Sequence, residues 1–109
     1  MIKRVLLDEN LPQPLRFQLT GHTVITSAYQ GWAGQLNGDL VALAEEAAFD
    51  VMVTADQNLS YQQNMKGRKL ALVVLSTPNK TRVLANVTRI LAAVDEVETG
   101  GYSFVDIGY

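Results

Sequence analysis

The chain of 109 residues contains no cysteine, a single histidine and no long hydrophobic run. Without cysteine it cannot form disulfides, thiolate zinc sites or a cysteine nucleophile. Because His22 has no second histidine to join it, a histidine-based site is not expected. No apolar run approaches the roughly 20 residues of a membrane span, and the apolar run near the start stops at Asp8, too early for a signal peptide. We therefore expect a cytoplasmic protein with no membrane segment.

The composition indicates one globular domain over residues 1–109, since 48% of the residues are hydrophobic. The net charge is −2, from nine basic and eleven acidic residues. A dedicated nucleic-acid binder usually carries a basic surface, so this balance alone argues against one. Asp8, Glu9, Asp39 and Asp56 are candidates for a metal cluster, however, and without them seven acids face nine bases. The net charge therefore does not decide the partner.

Short apolar runs rich in β-branched residues alternate with segments of helical periodicity. The runs predict five strands, at Lys3–Leu7, Thr23–Thr26, Val51–Thr54, Leu70–Leu75 and Ser103–Ile107. Helices are predicted between Leu11–Pro14 and Gly21, from Asn37, and from Arg82 to about Val97. Unbroken apolar strands that alternate with helices are typical of parallel sheets covered on both faces. We expect an α/β fold with a mostly parallel five-stranded sheet sandwiched between helices.

Acidic residues follow the first and third predicted strands. Asp8 comes directly after the first, and Asp56 comes two residues after the third. Sites in open parallel sheets form at the carboxyl ends of the strands. If these two strands are neighbours, Asp8 and Asp56 converge there, and Asp39 in the first turn of the preceding helix could complete the cluster.

Converging carboxylates repel each other unless a cation neutralises them. Oxygen-only ligands favour Mg²⁺ or Mn²⁺, and such an ion can activate water and stabilise charge on a phosphate. This chemistry suggests hydrolysis of a phosphodiester. Each acid also has a structural interpretation: Asp8 and Asp56 suit turns, and Asp39 suits a helix N-terminus.

Four segments resemble the PIN-like proteins, in particular a small bacterial group of predicted toxins. The four segments are Leu6–Pro12, Gly31–Gly34, Asn37–Leu40 and Val53–Leu59, and they occur in the same order as in that group. Tyr61–Asn64, further along the chain, also resembles the group. The resemblance implies a PIN-like fold and a Mg²⁺- or Mn²⁺-dependent endoribonuclease, often the toxin of a type II toxin–antitoxin pair. An RNA substrate and an antitoxin protein would then be the partners.

By position in these motifs, Asp8, Asp56 and Asp39 match metal-binding acids of the family. Asn58 stands where many members have another acid or a neutral ligand, so it would orient water or a second ion. Lys66, Arg68 and Lys69 would hold the RNA backbone, or else form a solvated hairpin. A homodimer is compatible with so small a domain.

Two other functions remain open. Active members of the family often present four acids, and this chain offers two or three, so a PIN-like domain that has lost catalysis and binds a protein is one alternative. A receiver-like phosphoacceptor is the other, with roles for Asp8, Glu9, Asp56 and Thr77. Receivers carry a lysine after the fifth strand, and this chain has none there.

Overall fold

The five predicted strands form one parallel sheet in the computed structural model, which describes residues 2–35, 37–57 and 67–108. The strands are β1 (Arg4–Leu7), β2 (Thr23–Thr26), β3 (Val51–Thr54), β4 (Ala71–Leu75) and β5 (Tyr102–Val105). Their order across the sheet is β2-β1-β3-β4-β5, and every neighbouring pair is parallel. The fold is therefore α/β, as the alternation of strands and helices predicts.

The helices agree with the predictions except near the end of the chain. Those in the described residues are α1 (Leu15–Gln18), α2 (Asn37–Glu46), α3 (Lys80–Ala85) and α4 (Val87–Glu96). The prediction of one helix from Arg82 to about Val97 was wrong, because Asn86 separates α3 from α4. Its side chain donates to Arg82 O at 2.8 Å, and its backbone N–H bonds Val83 O at 3.1 Å. None of the described helices is both long and apolar enough to cross a membrane.

Among the described residues, α1, α3 and α4 cover one face of the sheet and α2 covers the other, which makes two hydrophobic cores. The strand residues that face α1, α3 and α4 include Val5, Val53 and Val73. The alternate residues, among them Leu6 and Met52, face α2. Side chains alternate between the two faces along a strand, so each apolar run fills both cores. The sandwich predicted from the unbroken runs is confirmed.

The strand order places a switch point between β1 and β3. In doubly wound sheets of order 2-1-3-4-5, ligands bind at the carboxyl ends of the two strands where the order reverses. Leu7 pairs with Val53, so β1 and β3 end side by side. The expectation that the first and third strands are neighbours is confirmed, and the residues after Leu7 and Thr54 stand at this switch point.

Candidate functional site

Asp8 lies at the carboxyl end of a central strand and is 7% exposed. Its backbone N–H donates to Val53 O at 3.0 Å, which continues the ladder between β1 and β3 by one residue. A carboxyl group at this depth loses much of its contact with water, which disfavours its charged form. The fold therefore holds an acidic group in a costly position, at the place where parallel sheets bind ligands.

Thr54 connects Asp8 to Asp56. The fully buried Thr54 hydroxyl donates to Asp8 Oδ2 at 2.7 Å. Thr54 Oγ1 in turn accepts a hydrogen bond from the backbone N–H of Asp56 at 3.0 Å. One side chain thus orients the first acid and fixes the backbone of the second. This link brings the predicted site residues Asp8 and Asp56 together.

Burial raises the pKa of the Asp8 carboxyl above its ordinary value. Hydrogen bonds from Thr54 and from the Glu9 backbone act against this shift, whereas the nearby carboxylates of Glu9 and Asp56 add to it. A divalent cation at this position would reverse the balance, because it favours the charged carboxylate. The electrostatics of Asp8 are therefore those of a group that gains from binding a cation.

Asp39 stands in the first turn of α2, as predicted, with its side chain exposed. The next two residues, Leu40 and Val41, are buried against the sheet. In residues 2–35, 37–57 and 67–108, no three acidic or histidine side chains form a group that could hold a metal ion. Asp8 and Asp56 are close, but the structure does not draw Asp39 into one cluster with them, so its part in the site stays a prediction.

Two of the three predicted RNA-contacting bases, Arg68 and Lys69, lie away from the acids. Arg68 is paired with Glu45 of α2 at 3.1 Å, and this hydrogen bond lowers the pKa of the Glu45 carboxyl. Lys69 precedes β4, at the amino ends of the parallel strands. Arg68 and Lys69 are therefore at the opposite edge of the sheet from Asp8. Lys66, Asn58 and the segment 61–64 lie outside the described residues.

Glu9 and Thr77, two of the residues with receiver-like roles, form hydrogen bonds with the backbone of nearby loops. Glu9 Oε1 accepts a hydrogen bond from the Gly34 backbone N–H at 2.9 Å, so the acid ties the glycine-rich loop to the end of β1. The Thr77 hydroxyl accepts from the Asn79 backbone N–H at 3.1 Å, within the turn that leads into α3. Both side chains shape loops beside the carboxyl edge.

A cleft of about 890 Å³ lies at the other end of the sheet. Its lining includes Lys3, Asp50 and Val51, which stand at the amino ends of β1 and β3, and it contains none of the predicted acids Asp8, Asp39 and Asp56. The Lys3 ammonium group is already bound by three carbonyl oxygens at the end of α4, those of Val94, Asp95 and Val97, at 2.7–3.1 Å. This cleft is separate from the carboxyl edge.

Two residues of the carboxyl edge had no assigned role in the sequence prediction. Thr54 is the last residue of the predicted strand Val51–Thr54, and its position two residues before Asp56 is the signal for the link described above. Ser27, directly after β2, is 1% exposed, and its hydroxyl has no hydrogen-bond partner among the residues that the structure describes. Nothing in the sequence around Ser27 marks it.

Comparisons with protein-family models, with curated proteins and with solved structures gave no significant match to the chain.

Proposed function

We propose that this protein is a divalent-cation-dependent phosphodiesterase that cleaves RNA internally. The observation that carries the proposal is the buried Asp8 at the switch point, joined through Thr54 to Asp56. Carboxylates placed together at the carboxyl ends of β1 and β3 are suited to a hard cation. The resemblance of four sequence segments to PIN-like proteins supplies RNA as the substrate.

The donor set fits Mg²⁺ or Mn²⁺, because its side chains offer carboxylate oxygens at the carboxyl ends of β1 and β3. Asp8 and Asp56 would hold the ion, with Asp39 approaching from the start of α2. When bound, such an ion stabilises the charge that develops on a phosphodiester and activates water for attack.

The chain's own residues then have distinct roles. Thr54 holds Asp8 Oδ2 in one orientation, which fixes where the carboxylate can bind. Its bond to the Asp56 N–H fixes the backbone from which the second carboxylate extends. Because Thr54 already orients the Asp8 carboxyl, part of the cost of ordering this ligand is met in folding rather than in binding.

The resemblance also supports the wider setting of the proposal. It implies a toxin whose activity an antitoxin protein restrains, and we propose that this activity takes place in the cytoplasm. Co-purification of the chain with the product of a neighbouring gene would test this part separately from the chemistry.

The test is Mn²⁺-dependent cleavage of a mixed-sequence RNA by the wild type and by Asp8→Asn. The amide keeps the size of the carboxyl group but cannot carry its charge. We expect cleavage by the wild type and none by Asp8→Asn, with both proteins folded by circular dichroism. Glu46→Gln, on the exposed end of α2, is the matched control and should cleave at the wild-type rate. Unchanged cleavage by Asp8→Asn would refute the assignment.

The strand order favours one second candidate, a phosphoacceptor domain, because phosphoacceptor receivers share the order 2-1-3-4-5. Asp56 would then accept a phosphoryl group beside Asp8. Against this, the Thr77 hydroxyl is engaged with Asn79 in its own turn. Stable labelling of the wild type by a small phosphodonor, lost in Asp56→Asn, would favour this candidate over the nuclease.

A further inference from the structure

Ser27 carries a buried hydroxyl that the fold does not use. The residue is 1% exposed, and within the described part of the chain its Oγ is the buried side-chain polar atom without a hydrogen-bond partner. Buried polar groups in native proteins are nearly always bonded, and an exception calls for an explanation. Here the exception lies at the carboxyl edge of the sheet.

Ser27 stands beside Asp8 in the sheet. Leu7 pairs with Thr26, and the Ser27 backbone N–H donates to Leu7 O at 2.9 Å, so the parallel ladder continues for one residue past β2. The next pair in this register is Ser27 with Asp8. Partners in a parallel ladder project from the same face, so both side chains point to one side of the sheet.

That side is the face covered by α2. Leu6, two residues before Asp8, and Ile25, two residues before Ser27, both pack in the core under α2. Because side chains alternate along a strand, Asp8 and Ser27 project towards the same region as these two residues. The predicted acid Asp39 belongs to the first turn of the same helix.

Asp8 is therefore flanked by two hydroxyl groups that the sheet places symmetrically. Thr54 on β3 donates to Asp8 Oδ2 and is satisfied by the fold. Ser27, on the β2 side, makes no such bond. The Trp32 backbone N–H donates to Ser27 O at 2.9 Å, so the loop after Ser27 folds back onto the Ser27 backbone. The Ser27 hydroxyl is buried, and the strand register sets Ser27 opposite Asp8.

We propose that Ser27 is a further ligand-binding residue of this site, whose hydroxyl hydrogen-bonds the hydration shell of the divalent cation held by Asp8. This inference rests on the proposed function. A serine hydroxyl can donate and accept, so it suits a hydrated ion such as Mg²⁺, which usually keeps several waters. Groups that orient the ligands around a metal typically change its affinity 10–100-fold when they are removed.

The experiment compares Ser27→Ala with Ser76→Ala. Ser76 is a matched buried serine after β4 whose hydroxyl donates to Gly108 O at 2.7 Å and accepts from the Ile107 N–H at 2.9 Å. Mn²⁺ affinity is measured by calorimetry, and Tm is measured in EDTA. We expect Ser27→Ala to raise the Kd for Mn²⁺ about tenfold without lowering Tm. Ser76→Ala should lower Tm and leave the Kd unchanged.

The outcomes distinguish a failure of the proposed role of Ser27 from a failure of the proposed cation-dependent function. If the wild type binds Mn²⁺, Asp8→Asn does not, and Ser27→Ala binds with wild-type affinity, the inference about Ser27 is overturned while the cation site stands. A lower Tm in Ser27→Ala with an unchanged Kd would also overturn it, because the hydroxyl would then be structural. Absence of Mn²⁺ binding by the folded wild type, both alone and with a non-hydrolysable RNA analogue present, would overturn both proposals.

Discussion

Thr54 and Asp8 form a buried hydrogen bond of 2.7 Å between two neighbouring strands of the sheet. In the parallel register, Thr54 is the β3 residue opposite Asp8, because Leu7 pairs with Val53. The same hydroxyl accepts from the Asp56 N–H, so two acids are organised through one side chain. The geometry of the candidate site therefore depends on a residue that carries no charge.

Thr54→Val tests this dependence. Valine keeps the shape of threonine but leaves the Asp8 carboxyl and the Asp56 N–H without their partner. We expect a loss of about 1–3 kcal/mol in the free energy of unfolding and roughly tenfold weaker Mn²⁺ binding. Urea unfolding and calorimetry measure the two effects. Thr54→Ser, which restores the hydroxyl, should recover most of both, and a valine variant with wild-type values would disprove the role.

The raised pKa of Asp8 predicts a pH dependence of stability. The folded-state pKa lies above the ordinary value of 3.8, so the folded state prefers the neutral carboxyl. The stabilising contribution of Asp8 is complete below 3.8 and is lost as pH rises through the folded pKa. Asp8→Asn has no titrating group at this position. As pH rises from 3.8 through the folded pKa of Asp8, the free energy of unfolding of Asp8→Asn should therefore increase relative to that of the wild type, and the difference should then level off.

This prediction is checked by urea unfolding of both proteins in EDTA at a series of pH values. Saturating Mn²⁺ should reverse the order at neutral pH, because the ion stabilises only the protein that binds it. A difference between the two proteins that stays constant across the pH range would contradict the account of Asp8.

Asp39→Asn measures how far the start of α2 contributes to the site. Asp39 is exposed and forms no metal-binding group with other described acids, so we expect a smaller loss of Mn²⁺ affinity than in Asp56→Asn. Calorimetry on the two variants gives the comparison. An equal or larger loss in Asp39→Asn would mean that α2 moves towards the sheet when the ion binds.

Lys3→Met should destabilise the fold without affecting the site. The Lys3 ammonium group binds three carbonyl oxygens at the end of α4, and Lys3 is 8% exposed. Methionine keeps the apolar stem, so the loss of about 1.5–3 kcal/mol would come from the charged hydrogen bonds. Urea unfolding measures it, with the exposed Lys80→Met expected within about 0.5 kcal/mol of the wild type. Equal losses of stability in the two variants would contradict the stabilising role of the Lys3 ammonium group at the end of α4.

The fold was predictable where burial and sequence pattern coincide. Val51–Thr54 was predicted with its observed bounds, because a buried parallel strand is an unbroken apolar run. The break at Asn86 was not predictable from the apolar stripe, since Val83, Ile90 and Val94 keep helical spacing across it. The Asn86 side chain competes locally for the Arg82 carbonyl, a choice that hydrophobic periodicity does not reveal.

The site was predictable in part. Acids at strand ends are visible in the sequence, and once β1 and β3 are neighbours, Asp8 and Asp56 must come close. The distance from Asp39 to these acids depends on how α2 packs, which no pattern fixes. Ser27 could not be predicted as a site residue, because its position opposite Asp8 comes from the register between β1 and β2. The register depends on the packing of the whole sheet, so it cannot be predicted from the sequence of a single strand.

The most direct test of the central claim is calorimetric titration of the wild type and Asp56→Asn with Mn²⁺ and Mg²⁺. We expect about one ion per chain in the wild type and loss of that binding in Asp56→Asn, whose fold should be unchanged. The central claim would be contradicted by a folded wild type that binds neither ion, either alone or with a non-hydrolysable RNA analogue present.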